Sequence, residues 1–179
     1  SSPIQTVEAE PIATDTKEVE QPATTESSAD EVAPEHSYRS ELTNEWIDED
    51  LKDQRPIAVM VDNERTALPH FGTADADVVY EIMNSTLNDR ITRFMVVVKD
   101  WEKIEQLGSI RSARPTNFML AAEWNAVLCH DGGPFFINDW VAKDYSANFS
   151  GGFARYSNGK AAEFTEYITY DKYTNTQKG

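Results

Sequence analysis

The chain has 179 residues and a formal net charge of −15 at pH 7, and this charge is distributed unevenly. Residues 1–54 hold 15 acidic and three basic residues, whereas the remainder holds 16 acidic and 13 basic residues. The second part is nearly neutral, which argues against the broad basic surface that nucleic-acid binding requires. No apolar run is long enough for a transmembrane helix. The single cysteine, Cys129, excludes an intramolecular disulfide.

The composition predicts two parts. Residues 1–54 are predicted to be a disordered acidic tether, because the segment before Tyr38 is rich in Pro, Thr, Ser, Ala and Glu and has almost no large apolar residues. Residues 40–53 have enough apolar positions for one or two amphipathic helical turns. Residues 55–179 are predicted to be a single compact domain, since about 120 residues are enough to enclose one hydrophobic core.

Apolar runs in the second part predict a mixed β-sheet layered with helices, a fold of the α/β or α+β class. A continuous run such as residues 56–61 is typical of a central strand that is covered on both faces. The turn-rich segment 84–89 favours a hairpin between its flanking strands. In chain order the predicted strands are residues 56–61, 78–83, 91–99, 107–110 and 127–129, the predicted helices are 116–125 and 135–141, and 164–170 is a final strand or helical turn.

Two arginines, Arg111 and Arg114, lie at the start of the helix predicted over residues 116–125. Ser112 is in a favourable position to cap this helix, and Pro115 suits its first turn. A helix N-terminus has free N–H groups and a positive dipole end. Two guanidinium groups beside it therefore favour binding of a phosphate, sulfate or carboxylate.

A structural role is the alternative for the two arginines. In a chain with an acidic excess, they can pair with Asp62, Asp77 or Glu81 and hold strands together. Charge clusters of this kind occur both at functional sites and in structural ion-pair networks. The residue pattern leaves both interpretations open.

The loop His130-Asp131-Gly132-Gly133 follows the strand predicted over residues 127–129, and strand ends beside loops commonly line sites. If Asp62 and His130 both lie at strand ends on one edge of the sheet, they face the arginines across a groove. The predicted ligand-binding residues are therefore Arg111, Arg114, Arg93, Asn63, Asp62 and His130.

No motif predicts a cofactor or a metal ion. The histidines His36, His70 and His130 are scattered, and Cys129 would point away from His130 on a strand. No glycine-rich phosphate loop follows the first predicted strand. Ser112 lacks the Gly-x-Ser-x-Gly context of hydrolases, and a nucleophile needs a neighbouring base that the sequence does not identify. The sequence therefore predicts no cofactor, no metal site and no named catalytic residue.

Five segments of the chain occur in the order seen in a known family. They are residues 55–63 (RPIAVMVDN), 76–81 (ADVVYE), 91–94 (ITRF), 108–115 (GSIRSARP) and 130–133 (HDGG). In this order, and with its Arg-Ser-Ala-Arg block, the chain resembles the YerB-like lipoproteins from about residue 55 to about residue 170. These are bacterial envelope proteins, and this domain of theirs has no assigned function.

The resemblance implies a layered α/β domain that is located outside the cytoplasm. It also implies attachment to the cell membrane only through an acylated cysteine that would precede Ser1, and a second, C-terminal domain that would follow this one. One segment departs from the family pattern: residues 160–164 read Lys-Ala-Ala-Glu-Phe where family members tend to carry an Ala-Pro-His-Asn block. If the histidine of that block contributes chemistry in relatives, this chain lacks it.

Two functions remain open. The first is an extracytoplasmic, membrane-tethered binding module for an anionic envelope component or an envelope protein partner. The alternative is an enzyme that acts on a phosphorylated, lipid-linked cell-wall precursor, with the arginines holding a pyrophosphate. The binding module is favoured because the residues identify no nucleophile or acid–base pair. Arg111→Ala discriminates the two, since lost turnover with retained fold supports the enzyme.

Overall fold

The fold is described from a computed structural model of the chain. The structure describes residues 32–86, 90–144, 146–171 and 176–178, and the described residues from Ala33 onward belong to one unit. The strands are β1 (Ser37–Arg39), β2 (Trp46–Asp48), β3 (Ile57–Asp62), β4 (Val78–Met83), β5 (Thr92–Val98), β6 (Gln106–Gly108), β7 (Val127–His130), β8 (Asn148–Ser150), β9 (Ala154–Arg155), β10 (Glu166–Asp171) and β11 (Thr176–Lys178), and the helices are α1 (Pro115–Glu123) and α2 (Asn138–Val141).

In the described part of the chain, the central sheet has five strands in the order β4-β5-β3-β7-β8. Strand β3 pairs antiparallel with β5 and parallel with β7, and β7 pairs parallel with β8. The predicted hairpin is confirmed, since β4 and β5 are antiparallel with Val78 opposite Val97. The carboxyl ends of β3, β7 and β8 meet at one edge of the sheet, after Asp62, His130 and Ser150. We call this edge the carboxyl edge.

The central sheet is covered on both faces, as the apolar run in β3 predicts. Ala58 and Met60 join the core that includes α1, whereas Val59 and Val61 join a core on the opposite face. A second sheet covers that face, in which β10 pairs with β6, β9 and β11. The three layers confirm the predicted mixed sheet with helices, and the separation of α1 from the smaller sheet makes the fold α+β.

Helix α1 begins at Pro115, which confirms the predicted first turn. Phe118 and Ala121 are buried against the central sheet, whereas Met119 is 49% exposed. The many apolar residues of this segment favour burial on more than one side, and that prediction was wrong. Only one face is buried, because α1 is an outer layer of the fold.

The composition predicted that the domain starts at Arg55. Ordered structure begins before that residue. Two antiparallel strands, β1 and β2, and a short 3-10 turn lie before Arg55, where the sequence predicted one or two helical turns. Residues of this segment satisfy Lys99, which is buried and needs oxygen partners. Its ammonium lies 2.6 Å from Glu41 Oε1 and also contacts Gln54 O. The rest of the predicted tether, residues 1–31, lies outside the described residues.

Two segments of the second half are short elements. Residues 135–141 form a 3-10 turn that continues as α2, and Phe135 stays largely exposed there. In the segment predicted as a strand or a helical turn, both occur: a 3-10 turn ends at Phe164, and β10 follows and pairs with β6. Among the described residues, no helix has both the length and the apolar character of a membrane span.

Candidate anion-binding site

The arginine-bearing segment, residues 109–113, lies between the carboxyl ends of β3 and β7. The two strands pair only in their amino-terminal parts, and the segment fills the space where they diverge. Arg111 N–H donates to Met60 O at 3.0 Å, and Asp131 N–H donates to Arg111 O at 3.1 Å. In open α/β sheets, ligands bind outside the carboxyl ends of the parallel strands, and β3, β7 and β8 of this mixed sheet run parallel. The topology therefore places the arginines at an edge where a ligand site is expected.

A glycine allows the His-Asp-Gly-Gly loop to pack against this segment. Ala113 N–H donates to Gly132 O at 3.1 Å, so the loop and the segment run side by side. A Cβ added to Gly133 would lie 2.9 Å from Ala113 O and even closer to the Ile137 side chain. Any larger residue at Gly133 would push the loop away from the arginine-bearing segment.

Arg111 forms an ion pair with the buried carboxylate of Asp62. Arg111 Nε lies 2.8 Å from Asp62 Oδ2, although the N–H direction is not that of a hydrogen bond, so the attraction is Coulombic. The other carboxylate oxygen, Asp62 Oδ1, accepts from Glu64 N–H at 2.9 Å. Arg111 Nη1 lies 3.0 Å from Glu163 Oε2, and the guanidinium stands over the Phe164 ring. The structural pairing with Asp62 is therefore present for Arg111.

Arg93 lies on β5 opposite Asp62 and is only 7% exposed. Its Nη1 donates to Ser112 O at 2.8 Å, while its buried Nε has no hydrogen-bond partner among the described residues. Burial lowers the pKa of Arg93 to about 10. The charge of Asp62 opposes this shift, and the charges of Arg111 and Arg114 add to it. A desolvated cation with an unused N–H favours a nearby anion.

Arg114 occupies the position before the first residue of α1, so the predicted cap at Ser112 was wrong. The backbone stays extended because the N–H of Ala113 is bonded to the neighbouring loop. Asn117 Oδ1 accepts from Arg114 N–H at 2.7 Å, and Arg114 Nη1 donates to Ala113 O at 3.0 Å. Burial and the charge of Arg111 lower the pKa of Arg114. In the part of the chain that the structure describes, no carboxylate pairs with Arg114.

Asn63 follows β3 and is tied to the neighbouring strands. Its Nδ2 donates to Thr92 Oγ1 at 2.9 Å and lies 3.5 Å from Glu81 Oε1. Thr92 Oγ1 donates to the same Glu81 oxygen at 2.7 Å. The structure therefore brings Asn63 to the carboxyl edge, where its amide N–H groups bridge strands.

His130 lies at the carboxyl edge but is completely buried. Its Nδ1 lies 2.8 Å from Gly132 O, and its Nε2 lies 3.1 Å from Asn148 Oδ1. The ring also makes an edge contact with Phe118. Both ring nitrogens have partners within the fold, so this geometry gives His130 a role in shaping the loop rather than in contacting a surface ligand.

A second charged cluster, Asp131, Arg155 and Glu166, is absent from the sequence-based prediction. Arg155 Nη2 lies 2.8 Å from Glu166 Oε2 and 3.2 Å from Asp131 Oδ2. Burial and the neighbouring Asp131 together raise the pKa of Glu166 to about 6, and the charge of Arg155 opposes the shift. The cluster adjoins the arginine-bearing segment, since Ile110 N–H donates to Glu166 O at 2.7 Å. In the sequence, the only signal for this charged cluster is the position of Asp131 in the His-Asp-Gly-Gly motif.

Known proteins resemble the chain over part of their length. The protein named "Putative lipoprotein YerB" from Bacillus subtilis is 30% identical over 94 residues, which cover 52% of this chain and 27% of that protein. The crystal structure of YerB from Bacillus subtilis matches with a TM-score of 0.66 at 24% identity, and covers 76% of this chain and 48% of that chain. The chain thus spans less than half the length of these relatives, and the structural match shows a shared fold.

A family model also matches the chain. The model described as "Protein of unknown function (DUF3048) N-terminal domain" matches residues 42–179. This match begins before Arg55, in the same region where the ordered structure begins. The predicted resemblance to the YerB-like lipoproteins is confirmed by the family model and by both relatives. The chain therefore belongs to the family of the DUF3048 N-terminal domain, a family of unknown function.

Proposed function

We propose that this domain binds an anionic component of the cell envelope at the carboxyl edge, through Arg93, Arg111 and Arg114. The observation that carries the proposal is the charge imbalance among these residues. Arg111 has carboxylate partners in Asp62 and Glu163. Arg93 and Arg114 form no direct ion pair in the described part of the chain. A phosphate or carboxylate of a ligand would supply the missing negative charge.

Burial strengthens this argument. Arg93 and Arg114 both have pKa values below the ordinary value, because burial and the charges of neighbouring arginines, Arg111 for both, disfavour their charged forms. An anion bound beside them would offset the repulsion among the arginines and favour the charged form of Arg93. The positive end of the dipole of α1, which begins directly after Arg114, acts in the same direction.

The proposal also places the domain outside the cytoplasm, attached to the cell membrane by a lipid. It is supported by the name of the Bacillus subtilis relative, which describes a lipoprotein. Because the matched family domain is an N-terminal domain and this chain spans less than half of its relatives, a C-terminal domain of the same protein is proposed as a partner. An envelope protein that presents an anionic segment is a partner of the same chemistry.

Isothermal titration with inorganic pyrophosphate at low ionic strength tests the proposal. The wild-type chain is expected to bind, and added salt is expected to weaken binding because it screens exposed charges. Arg114→Gln is expected to weaken binding about tenfold, since a hydrogen bond to a charged group is lost. Arg114 is the suitable position because its replacement leaves no described carboxylate without its partner.

Lys103→Gln is the matched control. It removes the same charge at the opposite edge of the sheet, where Lys103 pairs with Asp100, and should bind pyrophosphate like the wild type. Unfolding curves of both variants establish that they are folded. Absence of binding at low salt, or equal weakening by the two replacements, would contradict the proposal.

An enzyme that acts on a phosphorylated, lipid-linked precursor is the second candidate, and the Asp131–Glu166 pair favours it. A carboxyl group with a pKa of about 6, such as Glu166, keeps a proton close to neutral pH, as a general acid does. Phosphate release from a polyprenyl pyrophosphate is the assay. The enzyme is supported if Glu166→Gln abolishes phosphate release but still binds pyrophosphate. Binding without release by the wild type supports the binding module.

A further inference from the structure

A concave site lies near the first residue of β3, at the opposite end from the carboxyl edge. It is a pocket of about 240 Å³ between the central sheet and the second sheet. Apolar side chains from both sheets line it, among them Ile57, Cys129, Phe153 and Ile168. Phe149, which also lines the pocket, is 62% exposed. The pocket is therefore an opening into the apolar layer between the sheets.

The pocket is continuous with a core of the domain. Phe153 and Ile168 belong to the buried cluster on this face of the central sheet, and Ile57 and Trp101 pack against the same cluster. A concave surface lined mainly by apolar and aromatic side chains, with a few polar groups, is the usual form of a small-molecule site. The pocket has this form.

One cationic side chain, that of Arg55, lies among the lining residues. Arg55 Nε donates to Asn125 O at 2.8 Å, and Arg55 O accepts from the Trp101 indole N–H at 3.0 Å. These two bonds hold the residue beside the pocket. Within the described ranges, the terminal guanidinium nitrogens of Arg55 have no hydrogen-bond partner, so they are available to a ligand.

We infer that this pocket binds a small apolar monocarboxylate, with its hydrocarbon part between the two sheets and its carboxylate at Arg55. The volume fits a ligand of this size. An engineered apolar cavity of about 150 Å³ binds benzene, so a pocket of about 240 Å³ holds one ring with a short side arm. The guanidinium selects a carboxylate through charge-assisted hydrogen bonds. This inference does not depend on the proposed anion site, because the two sites lie at opposite ends of β3.

An NMR titration with hydrocinnamate tests the inference. The compound has one phenyl ring and a short carboxylate arm. Signals of the Trp101 indole and of the Ile57 and Ile168 methyl groups are expected to shift together, whereas the indoles of Trp46 and Trp124, outside the pocket lining, should not. The neutral analogue hydrocinnamyl alcohol should bind about fivefold more weakly, which is the effect of one exposed ion pair.

Two variants separate the role of Arg55 from a general loss of fold. Arg55→Gln should bind the acid and the alcohol equally, since the cation that distinguishes them is gone. Lys143→Gln removes the same charge from an exposed residue that does not line the pocket, and should keep the preference for the acid. Val127→Phe, which fills the pocket, should abolish binding of both compounds, and an otherwise unchanged spectrum shows that the fold is retained.

Three results would overturn the inference. The first is the absence of shifts at Trp101 and the two isoleucines when hydrocinnamate is added to the folded wild type. The second is equal binding of the acid and the alcohol by the wild type. The third is a preference for the acid that persists in Arg55→Gln.

Discussion

Arg111 Nε lies 2.8 Å from Asp62 Oδ2, and Asp62 is 1% exposed, so a buried carboxylate ties the arginine-bearing segment to the end of β3. Asp62 also accepts the N–H of Glu64, and its charge supports the buried cation of Arg93. One carboxylate therefore fixes the turn after β3 and compensates a cluster of arginines. The stability of the carboxyl edge depends on this residue.

Asp62→Asn is expected to destabilise the domain by about 3 kcal/mol or more, because removing one partner leaves a buried charge without compensation. The amide keeps the same shape and can still accept from Glu64, so the loss reports on charge. Glu163→Gln is the matched control, because Glu163 also contacts Arg111 but is half exposed, and it should cost no more than about 1 kcal/mol. Urea unfolding of the two variants gives the comparison. Equal losses would mean that Asp62 has no special electrostatic role.

Lys99 anchors the segment before Arg55 and supplies a second prediction. Lys99→Met is expected to cost about 2 kcal/mol, because carbonyl groups that accept from the buried ammonium lose their partner. Lys103→Met removes an exposed lysine and should change the free energy of unfolding by less than about 0.5 kcal/mol. Protease cleavage within residues 33–54 should become faster only in Lys99→Met. Unchanged cleavage there would show that another contact holds the segment.

Glu166 makes stability depend on pH. Burial raises the pKa of Glu166 from 4.5 to about 6, so the folded state holds the proton more tightly than the unfolded state. The stabilising effect is complete below pH 4.5 and is lost as the pH rises through about 6. The loss is on the order of 2 kcal/mol. Glu166→Gln removes this dependence, since its amide does not titrate.

Urea unfolding at about pH 5 and about pH 7.5, on either side of the shifted pKa, measures this effect. The difference in the free energy of unfolding between the two pH values should be smaller in Glu166→Gln than in the wild type. A difference of the same size in both chains would assign the pH dependence to other groups.

Cys129 is expected to be unreactive in the folded protein. The residue is 4% exposed, and burial raises the pKa of its thiol to about 12. Modification by a thiol reagent at about pH 8 should be at least a hundredfold slower in the native protein than in urea, because the thiolate is the reacting form. A native rate close to the unfolded rate would mean that the pocket opens far enough to expose the sulfur.

Strands β3, β5 and β7 of the central sheet could be predicted from the sequence because their apolar runs record burial on both faces. Strand β8 could not, since its segment has no apolar run. The run in β3 and the turn residues before β5 are local signals, and both were confirmed. The start of the ordered domain could not be predicted in this way. Residues 33–54 are acidic and weakly apolar, and their contacts are with distant residues such as Lys99, which binds their oxygen atoms.

The candidate site shows the same division. The position of Arg111 and Arg114 at the start of a helix follows from local sequence signals, and the structure shows them there. The actual N-cap residue is Arg114, and its position depends on a hydrogen bond from Ala113 to the loop that follows β7. Local helix propensity cannot predict this contact between distant segments. The pairing of Asp131 with Glu166 likewise depends on contacts between distant segments. Sequence patterns indicate which groups are available, and the topology decides which of them meet.

In the proposed function, a ligand supplies the anion that Arg93 and Arg114 lack. The most direct measurement is the NMR signal of the arginine Nε–H groups during a titration with pyrophosphate, because the buried Nε–H of Arg93 has no described hydrogen-bond partner. The Arg93 and Arg114 signals are expected to shift together, to saturate at one concentration of pyrophosphate and to return to their original positions when salt is added. If both signals stay unchanged when pyrophosphate is added at low salt, the proposed anion site is wrong.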